Sequence, residues 1–260
     1  FNAGSHFIAL MVMFPAAFCA DMTLPLITHS LLRRGAGERA IGSVYAANTV
    51  GAIVGVFLAV HVGMPLLGLK GLITGGAAID IALGLALLWR AGAGTRAPAY
   101  ATVAGGAALL ATLAWVELEP HKMASGVYRH GGLPSRDKME ILYARDAKTA
   151  TVNLVKSPGG LSIHTNGKSD AAISTDPEAL PRPDEATMIL TGALPLALHP
   201  QARTAANVGL GSGLTSHIML ASDSIREVDT IEIESAMVEG ARGFSPRNDN
   251  VYRDPRSRIY

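Results

Sequence analysis

Four apolar stretches in succession govern what this chain can become. They run from about Phe7 to Leu32, Ala40 to Val62, Leu66 to Trp89 and Ala99 to Val116. Each is near the ~20 mostly apolar residues that a helix needs to cross a bilayer. The separators are short and hold the breakers: Arg33-Arg34-Gly35-Ala36-Gly37-Glu38-Arg39, then Gly63-Met64-Pro65, then Arg90 to Pro98. One such window can be a buried helix of a large soluble enzyme; four in a row are read as membrane spans. Before Glu117 the only acids are Asp21, Glu38 and Asp80, whereas beyond it acids and bases are frequent. The chain therefore divides into two halves suited to different solvents.

That division sets the expected organisation: residues 1–118 as a transmembrane region of about four helices, 119–139 as a polar linker, and 140–260 as a soluble half. The second span carries Ala47, Gly51, Gly55 and Ala59 at four-residue spacing, which places them on one face and favours close helix packing. Asp21, His29, Asn48 and Asp80 lie inside spans, where a charge is expensive and faces a bundle interior or a cavity. Asp21, near Pro25, is read first as a structural hydrogen-bonding residue and second as part of a transport path. Arg33, Arg34, Arg39, Arg90 and Arg96 put the first and third separators on the cytoplasmic side. With four spans the soluble half then lies outside, whereas a half that uses a cytosolic nucleoside belongs inside. The location is thus read as multi-pass in a bacterial inner membrane, with the side of the soluble half left open. Cys19 is the only cysteine, so the sequence offers no intrachain disulfide and no cysteine metal site. His164, His199 and His217 lack metal-ligand spacing, so no metal is expected. A net charge of +1 gives no reason to expect nucleic acid.

The soluble half begins with strand signals. Glu140 to Tyr143 looks extended, and Thr149 to Val155 alternates and is β-branched. Ser157-Pro158-Gly159-Gly160 is a turn, Leu161 to Thr165 returns, and Asn166-Gly167 is a tight-turn pair. Residues 140–183 are accordingly a small antiparallel β-sheet subdomain. A helix is expected from about Asp184 to Leu198, ending at His199-Pro200.

Residues 184–260 read as the opening of a Rossmann-like domain. A short strand, Thr204 to Val208, runs into Gly209-Leu210-Gly211-Ser212-Gly213 and then a helix from about Leu214. A second strand, Glu227 to Ile233, carries Glu232 23 residues after Gly209. Glycines in such a turn let a ligand approach the backbone, and a carboxylate at the next strand tip can accept two ribose hydroxyls. The spacing differs from the dinucleotide Gly-x-Gly-x-x-Gly pattern. The fold class is thus an α-helical transmembrane bundle followed by α/β: a small antiparallel sheet and the start of a methyltransferase-type Rossmann-like domain.

These residues resemble the membrane-anchored relatives of spermidine synthase, in which several spans precede an aminopropyltransferase-like domain. The resemblance rests on Thr23-Leu24-Pro25-Leu26, Gly42 to Ala52 and Pro65-Leu66-Leu67-Gly68 in the membrane half. In the soluble half it rests on Asn166-Gly167-Lys168, Leu194-Pro195-Leu196, His199-Pro200, Gly209 to Thr215, Glu232-Ile233-Glu234 and Asp254-Pro255-Arg256. It implies a nucleoside site at Gly209, Gly211, Ser212, Gly213 and Glu232, with decarboxylated S-adenosylmethionine or S-adenosylmethionine as co-substrate and no metal. It implies attack by an amine on the carbon beside the sulfonium, with methylthioadenosine leaving. Three positions depart from the soluble enzymes: Ser212 stands where they have aspartate, Asp170 where they have glutamine, and Thr187-Met188 where they have Tyr-Gln.

The chain opens on Phe1 without a basic n-region, and only 28 residues follow Glu232. The expectation is a segment with its true start and end elsewhere, Asp254 to Tyr260 running into a third strand. The resemblance puts the family's catalytic aspartate in that outlying part, so no catalytic residue is assigned here. Three functions follow from these readings: a membrane-bound aminopropyltransferase, with S-adenosylmethionine-dependent methyl transfer as its variant; a non-catalytic subunit of a membrane complex; and a transporter with a nucleoside-sensing half. The implied partners are the lipid bilayer, a nucleoside co-substrate, and other membrane subunits or further copies of the chain.

Overall fold

The computed structural model describes residues 2–92, 94–176 and 178–260; Phe1, Ala93 and Pro177 lie outside the described residues. By its internal packing the chain divides after Gly63. The first unit holds α1 (Asn2–Arg33) and α2 (Arg39–Leu58), the latter running into a π-helical turn, Ala59–Gly63. Pro15 and Pro25 lie inside α1, and each removes a backbone donor from the helical ladder. The helix stops where Gly35 takes φ +81° and Ala36 N–H reaches back to Leu31 C=O, a glycine-dependent C-terminal cap. Large apolar side chains such as Phe7, Val12, Phe14, Ile53 and Phe57 are more than half exposed. Contiguous apolar surface of this extent suits a lipid solvent.

The second unit begins with α3 (Met64–Ala91) and α4 (Ala97–Trp115), an antiparallel hairpin. A Cβ on Gly105 would lie 2.9 Å from Ile81 Cγ2, so glycine is what lets α4 approach α3. Trp89 Nε1 donates to Thr102 Oγ1 at 3.3 Å near one end of the hairpin, and Lys70 Nζ donates to the Leu113 carbonyl at 2.9 Å near the other.

Among the described residues three helical stretches, not four, are long and apolar enough to cross a membrane: Ala3–Arg33, Arg39–Ala91 and Ala97–Trp115. The expected second and third windows are one continuous run of 53 residues. At 1.5 Å per residue a straight helix of that length would reach about 80 Å, far beyond a ~30 Å hydrocarbon core. The run is broken instead at Gly68, with φ +65° and ψ −178°, a few residues after the expected break at Gly63-Met64-Pro65. Proline near the start of a helical turn costs little, because the first amides lack intrahelical partners anyway. Glycine at positive φ is what interrupts the ladder.

The segment after α4 is more ordered than a linker. It forms α5 (Pro120–Ala124) and α6 (Val127–His130) before the sheet begins. Four strands follow in a meander: β1 (Glu140–Asp146), β2 (Thr151–Ser157), β3 (Gly160–Thr165) and β4 (Lys168–Ser174). All pairs are antiparallel, in the order β1-β2-β3-β4. The Asn166-Gly167 turn takes φ +49° and +77°, the tight hairpin geometry expected. Beyond it Lys168 opens a fourth strand that the sequence reading did not include. Next come α7 (Pro183–Leu198), β5 (Thr204–Val208), α8 (Leu214–Leu220), β6 (Glu227–Ile231), α9 (Ser235–Ala241), α10 (Asp249–Arg253) and β7 (Ser257–Ile259). The last three strands are parallel, in the order β5-β6-β7, with α8 between the first two and α9 and α10 between the last two.

The meander is covered on both faces. Val152, Leu154, Ile163 and Ile173 form a core with Leu210, Leu214, Met237 and Phe244 of the β/α part. The opposite face of β2 buries Val155 with Ala124 and Met139 of the segment after α4. Alternation along the strands sends successive side chains to these two partners.

Candidate functional site

The glycine turn is built from the end of β5. Asn207 Nδ2 donates to the Gly209 carbonyl at 2.9 Å and to Ser216 Oγ at 3.0 Å, and Gly209 N–H donates to Ile231 C=O at 2.8 Å. Gly209, Gly211 and Gly213 all have positive φ, at 90°, 55° and 82°, which an L side chain adopts only with strain. They do different work. A Cβ on Gly209 would meet nothing within 4 Å, so the turn is open there. A Cβ on Gly213 would sit 3.3 Å from Asn248 Nδ2, so this glycine serves close packing.

Glu232 lies just past β6, half-buried, beside this turn. Its Oε2 accepts the Leu210 N–H at 2.8 Å, and its Oε1 accepts the Glu234 N–H at 3.0 Å. One carboxylate thus clamps the glycine turn to the tip of the neighbouring strand. Each oxygen keeps a second lone pair, so a ribose diol can be accepted without breaking the clamp.

Ser212 sits in the same turn but faces inward. It is fully buried, its hydroxyl lies 3.1 Å from Met188 Sδ, and Oγ accepts the Leu214 N–H at 3.3 Å. The structure therefore brings Gly209, Gly211, Gly213 and Glu232 to one place and turns the Ser212 side chain away from the open side. Met188, at one of the departing positions, is its packing partner. Asp170 is hydrogen-bonded by Thr165 Oγ1 and ion-paired with Lys168 at 3.5 Å, while its neighbour Ala171 lies against Gly211 of the turn.

Two residues to which the sequence reading gave no site role hold the site. Asn248 is fully buried, and its Nδ2 donates to the carbonyls of Ser212 and Ala241, both at 2.7 Å. Glu234 is buried, and its Oε2 accepts the N–H and hydroxyl of Thr149 at 2.9 and 3.0 Å, tying the site to the β1–β2 turn. An acid two residues after Glu232 was the available signal for the second; nothing local marks Asn248. His217, on α8, accepts the Asn250 N–H at Nδ1, 3.2 Å away, and burial holds its pKa below the usual imidazole value, with Asp249 opposing and Arg247 adding to the effect. Among the described residues no group of three or more His, Cys, Asp and Glu side chains has metal-binding geometry.

No family model and no curated protein matches the chain. Part of it is similar to solved spermidine synthases. A spermidine synthase from Thermotoga maritima aligns over 46% of this chain and 40% of its own, at 20% identity and a TM-score of 0.39. A spermidine synthase in complex with the transition state analogue AdoDATO gives 46%, 39%, 20% and 0.39 on the same measures. A probable spermidine synthase from Corynebacterium glutamicum ATCC 13032 aligns at 18% identity and a TM-score of 0.33, over 46% of this chain and 43% of its own. The chain spans less than half the length of each.

Proposed function

We propose that this chain belongs to a multi-pass membrane protein whose soluble half binds an adenosyl nucleoside at the glycine turn, and that the reaction served is aminopropyl transfer from decarboxylated S-adenosylmethionine to an amine. The observation that carries the nucleoside site is Glu232. Its carboxylate spans the open turn at Gly209 and the tip of β6, with lone pairs left on both oxygens. Membrane residence is supported by three apolar helical stretches, among the described residues, most of whose large side chains are exposed. In the reaction the amine nitrogen forms a C–N bond to the carbon beside the sulfonium. The C–S bond breaks with its electron pair kept by sulfur, methylthioadenosine leaves, and the new ammonium gives its proton to a base. The residues present supply binding and orientation of the nucleoside; none is assigned as that base.

One observation favours a second reading. The turn has no carboxylate to pair with the free amine of an aminopropyl group, because its polar residue is a buried serine. That suits S-adenosylmethionine and methyl transfer, or a nucleoside-binding subunit without catalysis, equally well.

The test is calorimetric titration of the full-length protein in lipid nanodiscs with methylthioadenosine, S-adenosylmethionine and its decarboxylated form. Micromolar binding that falls at least thirtyfold in Glu232→Ala, with the fold retained, is the expected result. Preference for the decarboxylated donor supports aminopropyl transfer, and preference for the parent compound supports methyl transfer. Absence of binding by the intact protein refutes the nucleoside site.

A further inference from the structure

The start of α3, the segment after α4 and the outer face of the meander enclose a cavity of about 150 Å³, apart from the glycine turn. Its walls are unequal in chemistry. Leu69, Leu118 and Met123 are apolar, while Asp146, Thr151 and Asn153 are polar and come from β1 and β2. Asp146 is already used once on each oxygen. Oδ2 accepts the Leu69 N–H at 3.0 Å, capping the helix that restarts after the Gly68 break, and Oδ1 accepts the Thr151 hydroxyl at 2.8 Å. Each oxygen keeps a lone pair.

Asn153 is the anomaly. It is fully buried, and neither Nδ2 nor Oδ1 has a hydrogen-bond partner. A buried amide left in that state is destabilising by about 1–3 kcal/mol, so natural sequences rarely keep one without a use. His164, its cross-strand neighbour, is taken up by Ser162 Oγ and the Ala124 carbonyl, both at 2.8 Å. The remaining hydrogen-bonding capacity around the cavity is mostly acceptor: the Asp146 carboxylate, Thr151 Oγ1 and Asn153 Oδ1. The one other charged wall residue, Arg145, has its guanidinium paired with Glu239.

We propose that this cavity binds a primary ammonium group on a short aliphatic stem. Three N–H donors and one positive charge match a carboxylate and an amide oxygen, and the stem lies against Leu69, Leu118 and Met123. The volume has room for about five water-sized groups, enough for such a head and two or three methylenes. The cavity also lies at one mouth of the α3–α4 hairpin. Leu69 opens the helix after its break, and Leu118 follows Trp115, the exposed aromatic that ends α4. Aromatics of this kind mark the headgroup level of a bilayer. On the membrane reading above, the ammonium is available from a phosphatidylethanolamine headgroup or from a free amine in solution.

The test uses the full-length chain in phosphatidylcholine nanodiscs, with and without phosphatidylethanolamine. Retained lipids are counted by native mass spectrometry, and ethanolamine is titrated calorimetrically into the phosphatidylcholine discs. The variants are Asp146→Asn, which removes the charge, and Leu118→Trp, which fills the cavity while leaving the Asp146–Leu69 hydrogen bond intact. Retention of one phosphatidylethanolamine, reduced at least tenfold in both variants, supports the site with a lipid source. Binding of ethanolamine without retained phosphatidylethanolamine, lost in both variants, supports it with a soluble source. Equal retention of phosphatidylcholine, whose quaternary nitrogen cannot donate, overturns the proposal, as does equal behaviour of the three proteins. Failure of the chain to enter discs refutes the membrane reading instead, and ethanolamine titration then decides the site by itself.

Discussion

Asn248 offers the sharpest test of how the glycine turn is held. Two carbonyl oxygens, of Ser212 and Ala241, lie 2.7 Å from its side-chain nitrogen, so the amide must present NH₂ there. The residue is fully buried, so bulk solvent does not reach these bonds in the folded chain. In Asn248→Ala two buried carbonyls lose their donor, and a small void opens beside Gly213. At about 1–3 kcal/mol for each unsatisfied group, partly relieved by relaxation, the loss is about 3–4 kcal/mol. Asn248→Asp has nearly the same shape and must be worse. It places a charged oxygen against two carbonyl oxygens with no partner, which adds the penalty of an uncompensated buried charge. The assay is amide hydrogen exchange by mass spectrometry on the full-length chain in nanodiscs, following peptides that cover residues 205–216. Exchange there accelerates about a hundredfold or more in Asn248→Ala, further in Asn248→Asp, and peptides of α3 and α4 are unchanged. If Asn248→Asp proves milder than Asn248→Ala, shape rather than donation holds the turn, and the argument fails.

Three further outcomes follow from the same part of the fold. Glu185 is buried, accepts the Ser174 N–H at 2.9 Å and is ion-paired with Arg247, so Arg247→Met strands a buried charge. The variant should lose about 3 kcal/mol, and pairing it with Glu185→Met should recover at least half of that in a double-mutant cycle read by hydrogen exchange. The His217 pKa is lowered by burial, so the folded protein holds fewer protons than the unfolded chain near and below the usual value of 6.5. That contribution is full above pH 6.5 and shrinks as pH falls, so protection of α8 should weaken from pH 7 to pH 5, and less so in His217→Asn. Tyr252 donates to the Val238 carbonyl at 2.8 Å, and burial pushes its pKa up to about 12. The unfolded chain therefore ionises first, stability falls as pH rises through the ordinary tyrosine range near 10, and Tyr252→Phe should flatten the alkaline limb of a thermal-unfolding profile.

The parts of the fold written in the sequence are those set by local rules. Asn166-Gly167 declared its hairpin, β5 appeared at the residues expected, and Glu232 fell at a strand tip beside the glycines. Asp254 to Tyr260 did run into a third parallel strand, β7. Features decided by distant partners were not legible. The break in the long apolar run falls at Gly68, where the first free amide of the restarted helix is met by Asp146, 77 positions away. No pattern around Gly68 announces that partner. Ser212 read as a ligand-facing residue because the resemblance places it where the soluble enzymes have an aspartate. Its inward orientation depends on Met188, from a helix that precedes the turn by a whole strand. The spacing of Ala47, Gly51, Gly55 and Ala59 is real, yet Gly51 and Gly55 have nothing within 4 Å of their Cβ positions, so a periodic stripe does not by itself name a packing partner.

The two-faced burial of the meander bears on how the halves of such a protein work together. A small sheet that only completed the β/α part would bury one face and leave the other to water, with polar residues alternating outward. Here the second face is polar at Thr151, Asn153, Ser162 and His164, yet it is covered. Covering polar side chains is unfavourable unless each finds a partner. Thr151 and His164 find theirs in Asp146 and in a carbonyl of the segment after α4, while Asp146 reaches the backbone of α3 itself. The strands are therefore specified against the apolar hairpin and not merely tethered to it. The Leu69 N–H to Asp146 hydrogen bond thus joins the meander directly to the restarted helix of the hairpin. On the two proposals above, an amine at the junction and a nucleoside at the turn would lie on two sides of one sheet, and strands β1 and β2, whose turn carries Thr149 to buried Glu234, would be the shortest physical path between them.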